Sequence, residues 1–569
     1  MAHRAGRIIM GKRTVALIVT ITIVAIVHIF TQAVSAQDRA GALQGVIKDN
    51  RGEPVAGAFV KMHNADRRLT FMVISQERGR YSVNTLPRGK YTVQAIGGEF
   101  QSEHSAAAEV APGAAATVDL ALSVTRAPQL APAWPGRLPG QRGGEADESR
   151  QGPPPLPEGE GREIIQAKCV SCHDAQRTIR VRADRNRWNM IIQNMRAYSQ
   201  GSTLAKDLTD REVPLLLDYM VANYGPSARA AARPKPDPNS RLPRVLMTGD
   251  SMKYMAVEYE LPNNRAEPHE VTVDGDGNGW VTQRVGGKIG RLDGKALTYS
   301  EYVPPPGPSP MNRLNAINRA ADNKLWFVDG GPNRRWLNID PKSQEFAVFE
   351  LPKLKNGSAS GNTMRVHPNG TVWLNSIAAN QVIRLDPKTR QFTVYDVPAG
   401  VKRGRTANPY GMAFSGDGKV WFIENAVNQM GRLDPATGKI DEFPIPVKDP
   451  VARKGGMDSA GDIWVGLHGA GKVMKIDYKT TEMKIYTPPT DDSGPYSVQG
   501  DPKSHLVWFS QQHVDQMARF DPKSETFTEF PLPSAESDPR RIEVDPSNSN
   551  RIWWTGNLAG RMGYVELIK

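Results

Sequence analysis

The sequence predicts a multidomain, mainly β protein in which a small β-sandwich precedes a short all-α domain and a seven-bladed β-propeller. Three observations predict this order. Short alternating apolar runs fill the region after the N-terminus, and apolar residues at helical spacing appear in the middle of the chain. From residue 241 onward a tryptophan recurs every 43 to 48 residues. With 569 residues, the chain is too long for a single hydrophobic core.

The first 36 residues have the pattern of an export signal. A basic stretch ends at Arg13, an apolar run covers residues 15–30, and Val34-Ser35-Ala36 provides a small-residue cleavage site. The alternative is an uncleaved membrane anchor, although the run is shorter than the ~20 residues that span a bilayer. Both alternatives place the rest of the chain in the periplasm or otherwise outside the cytoplasm, with membrane contact only if the segment is retained.

The formal net charge of +12 is dispersed along the chain. No arginine-rich run with interleaved aromatic residues is present, which argues against nucleic acid as a partner. An anionic substrate or an acidic partner protein, such as a periplasmic redox partner, suits this charge better.

Residues 38–124 predict the β-sandwich, because residues 43–47, 79–83 and 89–93 alternate between apolar and polar side chains. The pattern resembles the carboxypeptidase regulatory-like domain. Adhesion or spacing is the expected role, since the region contains no catalytic constellation. Residues 125–160, rich in Pro, Gly and Arg, predict a linker, and residues 229–240 predict a second one.

Residues 161–228 predict three short helices. Apolar residues at positions 188, 191, 192 and 195 share one helical face, and those at 213, 216, 217, 220 and 221 share another. Thr209 and Glu212 have the spacing of a capping box at the start of the last helix.

The chain's only two cysteines form a Cys-x-x-Cys-His motif. On one helical turn Cys169, Cys172 and His173 share a face, so the thiols can bond the haem vinyl groups while the imidazole ligates iron. A redox Cys pair would need a βαβ context, a zinc site would need a second Cys/His pair, and a disulfide at this spacing would be strained. The motif therefore predicts one covalent haem c.

Met195 is the predicted distal ligand of the haem iron. Residues 188–195 resemble the helix that follows the haem motif in small periplasmic cytochromes c, and this resemblance implies a methionine ligand from the segment. Met190 and Met220 are the alternatives. For each of the three, ordinary core packing is the competing interpretation.

Residues 241–569 contain seven repeats that predict the propeller. The repeated tryptophans are Trp280, Trp326, Trp373, Trp421, Trp464, Trp508 and Trp553. The last repeat lacks its outer strand, and residues 255–262 read like that strand. We therefore expect them to close the ring, so that truncation near residue 241 is tolerated and truncation near residue 263 gives an aggregated or markedly less stable propeller.

The repeat pattern, best seen in residues 408–412, 421–425 and 431–433, resembles the virginiamycin B lyase (streptogramin lyase) family. The resemblance implies a seven-bladed propeller with a Mg²⁺ site and a histidine base that opens a cyclic ester by elimination.

Glu267-Pro268-His269 matches a triplet of site residues in that family, which makes Glu267 and His269 the catalytic candidates. The preceding blade of the ring has Pro539-Arg540 where the family has a second Pro-His. A guanidinium cannot act as a base, so this departure argues against the lyase reaction.

One position on the innermost strand of each repeat predicts the propeller mouth. It gives His269, Asn315, Thr363, Tyr410, Lys454, Tyr496 and Arg540. The ends of the tryptophan strands add Arg284, Asp329, Asn375, Glu424, His468, Gln512 and Asn557. Such a mouth suits an anionic or hydroxylated ligand or a protein loop, and ordinary solvated residues are the alternative.

These observations predict a periplasmic c-type cytochrome that transfers electrons and whose propeller binds a substrate or a redox partner. A carbon–oxygen lyase with an accessory haem domain and a non-catalytic recognition protein are the alternatives. If the protein is an enzyme, a haem-linked oxidoreductase is favoured over a lyase.

Overall fold

A computed structural model describes residues 40–129, 156–169, 183–199, 207–226, 237–309, 312–331, 333–351, 361–377, 379–404, 406–557 and 560–568. The predicted export signal, most of the first linker, Cys172 and His173 lie outside these residues. In the part that is described, no helix is both long enough and apolar enough to cross a membrane. The protein is mainly β, with an N-terminal β domain and a C-terminal propeller-like region.

The N-terminal domain is built from ten short strands. They are β1 (Gly41–Asp49), β2 (Phe59–Asn64), β3 (Leu69–Ile74), β4 (Arg80–Leu86), β5 (Gly89–Gly97), β6 (Phe100–Gln101), β7 (Ala108–Val110), β8 (Ala115–Thr117), β9 (Leu120–Leu122) and β10 (Val124–Thr125). One sheet pairs β1 with β4, β8 and β9, and the other has the order β10-β6-β5-β2-β3. Tyr81 and Val83 on β4 are buried between exposed neighbours, as the two-residue period of a strand requires.

The described residues between 156 and 226 form three helices around a small apolar core. They are α1 (Glu160–Ile164), which continues as a π-helical turn over Ile165–Cys169, α2 (Arg185–Ser199) and α3 (Glu212–Tyr224). Gly161 of α1 lies against Tyr219 of α3 so closely that a Cβ there would be 2.3 Å from the Cβ of Tyr219. Thr209 and Glu212 form the predicted capping box, in which the Glu212 carboxylate accepts from the Thr209 amide at 2.7 Å.

The C-terminal region folds into four-stranded antiparallel blades that follow one another in sequence. The first three are β12 (Pro268–Val273), β13 (Gly279–Gln283), β14 (Ile289–Leu292), β15 (Tyr299–Tyr302); β16 (Leu314–Arg319), β17 (Leu325–Asp329), β18 (Arg335–Ile339), β19 (Phe346–Glu350); and β20 (Gly361–Val366), β21 (Val372–Ser376), β22 (Gln381–Asp386), β23 (Gln391–Asp396). A short helix, α4 (Pro398–Arg403), follows the third blade.

The next three blades are β24 (Pro409–Phe414), β25 (Val420–Glu424), β26 (Gln429–Leu433), β27 (Ile440–Pro444); β28 (Ala452–Met457), β29 (Ile463–Leu467), β30 (Lys472–Ile476), β31 (Met483–Tyr486); and β32 (Pro495–Gly500), β33 (Val507–Gln511), β34 (Gln516–Asp521), β35 (Thr526–Pro531). The last blade combines β36 (Pro539–Val544), β37 (Arg551–Gly556) and β38 (Arg561–Leu567) with β11 (Tyr254–Glu260) from the start of the region.

The blades form a closed ring. Each innermost strand contacts the innermost strand of the next blade, and β36 contacts β12. The repeated tryptophans are buried on the second strand of each blade, and Trp553 of the last blade packs directly on Gly279 of the first. Burial of these large side chains between blades provides much of the apolar packing of the ring.

Strand β11 closes the ring as the sequence predicts. It runs antiparallel to β38, with a register from Tyr254 opposite Leu567 to Glu260 opposite Arg561. The last blade therefore receives its outer strand from the N-terminal side of the propeller, and no edge is left between the first and last repeats.

The outer edge of β11 is covered by the sandwich, which the sequence did not predict. β3 pairs with β11, placing Phe71 opposite Val257, so one ten-stranded sheet continues from the sandwich into the last blade. A single cluster of buried residues contains Phe71, Val257 and Trp553. The N-terminal domain is therefore an extension of the last blade rather than a detached spacer.

Residues 237–243, which lead into the propeller, are also held against the sandwich by hydrogen bonds. The Arg126 guanidinium donates to the carbonyl oxygens of Gly98, Asn239, Leu242 and Pro243 at 2.8–3.0 Å. Residues 237–240, predicted to end a linker, instead pack against the sandwich, where Lys61 donates to Asn239 Oδ1 at 2.8 Å. Buried backbone carbonyls need donors, and the long Arg126 side chain supplies them.

Candidate functional site

The mouth of the propeller lies where the innermost strands begin. Each of these strands has a register shift close to its start, between Pro268 and Val271 on β12 and between Pro539 and Ile542 on β36, for example. Such a bulge re-aims the side chains around it. The second position of the strand carries His269, Asn315, Tyr410, Arg453, Tyr496 and Arg540.

Two predicted mouth residues lie one position further along their strands. Register places Lys454 and Thr363 at the third position, and Arg453 takes the place in the fifth blade that the sequence assigned to Lys454. Lys454 is buried inside the ring and contacts Glu270. Repeats aligned by eye do not reveal where a bulge shifts the register by one residue, which is why the sequence assigned Lys454 rather than Arg453 to this position. That Lys454 lines the mouth stays a prediction.

A pair of tyrosines lies at the centre of the site. The hydroxyls of Tyr410 and Tyr496 are 2.7 Å apart, and both side chains are buried. The Arg453 guanidinium lies 5.4 Å from the Tyr410 ring and 5.7 Å from the Tyr496 ring, while that of Arg540 lies 5.5 Å from the Tyr496 ring. Contacts of this kind hold the guanidinium groups in place over the aromatic faces.

Arg540 is held by a chain of polar contacts. Its Nε lies 3.4 Å from Asp538 Oδ2, and Asp538 Oδ1 accepts a hydrogen bond from Gln512 Nε2 at 2.5 Å. His468 Nε2 in turn donates to Gln512 Oε1 at 2.7 Å. Burial opposes the charge of Arg540, but Asp538 and Tyr496 raise its pKa, so the group is a fixed cation.

The two histidines of the mouth are neutral. Burial lowers the pKa of His468 well below its ordinary value, and His513, whose ring centroid is 4.3 Å away, lowers it further. Burial also lowers the pKa of His269, with added effects from Arg284 and Lys454. His269 Nδ1 donates to the carbonyl oxygen of Asn315 at 3.1 Å.

The surroundings of His269 do not fit a Mg²⁺ ion. Cationic groups rather than carboxylates dominate the electrostatic environment of the imidazole. Within the described ranges, no group of three His, Cys, Asp or Glu side chains could hold a metal ion. Glu267 is one of the groups whose charge raises the pKa of Arg540.

Glu424 does not lie in the mouth, although it was grouped with the mouth residues at the ends of the tryptophan strands. Its carboxyl group is fully buried over Gly431 and beside Glu442. Burial, together with the neighbouring Glu442, raises the pKa of Glu424 to about 8. Successive residues of a strand point to opposite faces. Aligning the repeats one residue off therefore assigned Glu424 to the mouth, although its side chain points away from the axis.

The predicted haem segment is described only in part. Cys169 ends the π-helical turn and packs against the apolar core of the three helices. Apolar surroundings at the first cysteine fit a covalently attached macrocycle. Cys172 and His173, which would complete attachment and ligate iron, lie outside the described residues.

The methionines near this segment differ in burial. Met220 is packed in the core of the three helices, whereas Met195 on α2 is half-buried. The side chain of Met190 lies outside the described residues. Core packing accounts for Met220, which leaves Met195 as the candidate ligand among the described methionines of this segment.

Comparison with known proteins identifies two parts of the chain. Residues 315–568 match the virginiamycin B lyase family, and residues 42–123 match the carboxypeptidase regulatory-like domain, which confirms the predicted N-terminal domain and propeller. The first match begins after the first blade, so it does not include Glu267 or His269. No curated protein matches the chain.

Several solved structures are similar in fold. Virginiamycin B lyase from Staphylococcus aureus is 21% identical, with 55% of this chain and 98% of that chain covered and a TM-score of 0.48. A streptogramin B lyase structure is 22% identical, with 56% and 100% covered and a TM-score of 0.49. Hydrazine synthase from Kuenenia stuttgartiensis is 14% identical, with 54% and 97% covered and a TM-score of 0.43.

Proposed function

We propose that this protein is an exported c-type cytochrome whose propeller binds an anionic small molecule at its mouth. The observation that carries the binding role is the position of Arg453 over the Tyr410–Tyr496 pair. The propeller provides the binding site, and the helical segment carries the haem that exchanges single electrons with the ligand or with a redox partner protein.

The charge at the mouth favours an anion over a neutral ligand. Arg540 is neutralised by Asp538 and influenced by Glu267, whereas no carboxylate within 4.0 Å of the Arg453 guanidinium is found among the described residues. Arg453 is half-buried, so it is partly dehydrated yet reachable from the mouth. A carboxylate or sulfate group can accept two parallel hydrogen bonds from such a guanidinium, and the tyrosine hydroxyls can donate to a second oxygen.

Calorimetric titration of the full-length protein tests this binding site. The probes are inorganic sulfate and a panel of aliphatic and aromatic carboxylates at constant ionic strength. We expect at least one probe to bind the wild type, and Arg453→Met to weaken it about tenfold or more, the effect of losing one charged hydrogen-bond donor. Arg432→Met is the matched control, because Arg432 lies over Trp421 and pairs with Asp441 on an outer part of its blade.

Two results would overturn the proposal for the mouth. One is the absence of binding by every probe to the wild type. The other is equal affinity in wild type, Arg453→Met and Arg432→Met, which would place the bound anion elsewhere on this basic protein.

The haem proposal rests on the motif and on the apolar surroundings of Cys169. Cys169 and Cys172 would hold the macrocycle and His173 would ligate its iron, which supplies one-electron redox chemistry when bound. Expression in a host that matures c-type cytochromes, followed by haem staining of denatured protein on a gel, is the direct test.

An elimination reaction of the streptogramin lyase type is the second candidate, favoured by the Glu267-Pro268-His269 triplet at the mouth. Arg540 occupies the place of the second histidine and cannot act as a base. We therefore expect the full-length protein to open no streptogramin-type lactone in the presence of Mg²⁺. Measurable Mg²⁺-dependent turnover that Glu267→Gln abolishes would favour this candidate over the first.

A further inference from the structure

The axis of the propeller, below the mouth, contains a cluster of buried charges. The third and fifth positions of the innermost strands supply them: Glu270 from the first blade, Arg365 from the third, Lys454 from the fifth, and Arg541 and Glu543 from the last. Apart from Glu543, which is partly exposed, their side chains are buried. None of them belongs to the mouth site described above.

Side chains from three blades meet at Glu270. The Lys454 ammonium group contacts Glu270 Oε1, and Arg365 Nη1 lies 3.8 Å from Glu270 Oε2. The first, third and fifth blades are separated around the ring, so these contacts cross the axial channel. The Glu270–Lys454 pair therefore joins the first and fifth blades across the axis.

Arg541 has its own partners. It contacts Glu543 Oε2 at 2.5 Å, and the Gln499 amide, with its oxygen turned toward the guanidinium, accepts from Arg541 at 2.7 and 2.8 Å. Glu543 is thus engaged by Arg541. This leaves Glu270 as the carboxylate shared by Lys454 and Arg365.

Burial lowers the pKa of Lys454, but its contact with the Glu270 carboxylate favours the ammonium form, so the cluster has one cation more than it has carboxylates. Arg365, Lys454 and Arg541 are the three cations, and Glu270 and Glu543 are the two carboxylates. Propeller residues outside the described ranges include no Asp or Glu, so they offer no further carboxylate. An uncompensated charge in a buried site is costly, and an arginine does not lose its proton to avoid that cost.

Several polar atoms in this interior have no hydrogen-bond partner among the described residues. Nη2 of Arg365 is one of them, and the residue is only 7% exposed. The hydroxyls of Thr363, two residues earlier on β20, and of Ser497 are two more, and both residues are fully buried. Buried donors of this kind normally have a partner.

We propose that the interior of the propeller binds one small monovalent inorganic anion, of the size of chloride, beside Arg365. A single negative charge equalises the count of cations and anions. Nη2 of Arg365 would donate to it, together with the unpartnered hydroxyl of Thr363 two residues earlier on the same strand. The surrounding side chains are buried, and Lys454 already contacts Glu270 across the axis, so a small spherical ion fits better than a carboxylate ligand.

The test uses bromide as the probe, because it has the charge of chloride and can be quantified separately. Full-length protein is refolded in sodium bromide, dialysed into sodium gluconate, denatured and analysed by ion chromatography. We expect about one bromide per chain in the wild type, the number that a charge excess of one requires. Arg365→Met should retain none, whereas the control Arg291→Met should retain the wild-type amount because Arg291 pairs with Asp293 outside the channel.

A second measurement keeps the proposal falsifiable if Arg365→Met fails to fold. Wild-type protein refolded in gluconate should melt at a higher temperature when bromide or chloride replaces gluconate at constant ionic strength, and the effect should saturate. Absence of retained bromide together with equal melting temperatures in the two salts would overturn the proposal. Retention that Arg365→Met does not reduce would overturn it equally. Because Arg453→Met alters only the mouth, it should retain the wild-type amount of bromide even if the proposed ligand-binding function is wrong.

Discussion

Replacing Phe71 with alanine should destabilise the propeller, although Phe71 belongs to the N-terminal domain. Its ring is fully buried, lies 6.3 Å from the ring of Tyr91, and belongs to the cluster that includes Val257 of β11 and Trp553 of the last blade. Removing a buried phenylalanine side chain costs about 3–5 kcal/mol of the free energy of unfolding. With about 2 °C per kcal/mol for a large unit, the melting temperature should fall by about 6–10 °C.

Tryptophan fluorescence reports mainly on the propeller in this experiment, and not on the sandwich. The sandwich contains no tryptophan, and the propeller contains nine of the eleven in the chain. A lower transition temperature in this signal therefore shows that the mutation in β3 weakens the ring through β11. Phe100→Ala is the matched control, since Phe100 belongs to the same domain but is exposed, and it should leave the transition within about 1 °C of the wild type.

The opposite result would refute the reasoning. If Phe71→Ala left the tryptophan transition unchanged while far-ultraviolet circular dichroism showed a separate early transition, the sandwich would unfold independently.

The pairing of β3 with β11 also changes the expectation for a chain that starts near residue 241. Such a chain would expose the edge of β11 that pairs with β3, so it should melt at a lower temperature than the full-length protein and aggregate. A chain starting near residue 263 should have a still lower melting temperature, because it also lacks β11.

Three further predictions concern the buried carboxyl and the haem segment. Because the pKa of Glu424 is about 8 in the folded protein, ionisation of the unfolded chain destabilises the fold as pH rises from about 4.5 to about 8. Calorimetry should therefore show Glu424→Gln melting like the wild type near pH 4 and several degrees higher near pH 8.5; parallel pH profiles would contradict this. Denatured wild-type protein matured in a competent host should keep its haem stain, and Cys172→Ala should weaken it; unstained wild-type protein would refute covalent attachment. Met195→Ala should abolish a sulfur-to-iron charge-transfer absorption band and lower the reduction potential, because a thioether ligand raises it; loss of the band in Met220→Ala alone would show that the ligand is misassigned.

Local patterns in the sequence were enough for the architecture. The repeated tryptophans located the second strand of every blade, and residues 255–262 were recognised as the missing outer strand before any pairing was known. The capping box of Thr209 and Glu212 also formed as predicted. These features depend on the spacing of nearby residues or on a repeat of fixed period, which are visible along a single chain. The haem motif is local in the same sense, and covalent haem remains a prediction from it.

The tertiary structure decided which side chains meet. The bulge on β28 places Arg453, rather than Lys454, at the second position of the strand, and the side chain of Glu424 packs inside its blade beside Glu442. The contact of Lys454 with Glu270 joins residues 184 positions apart, and the pairing of β3 with β11 joins two domains that the sequence separates by a long linker. Contacts of this kind depend on how the ring closes and on the register of each strand, because a shift of one residue reverses the face on which a side chain lies.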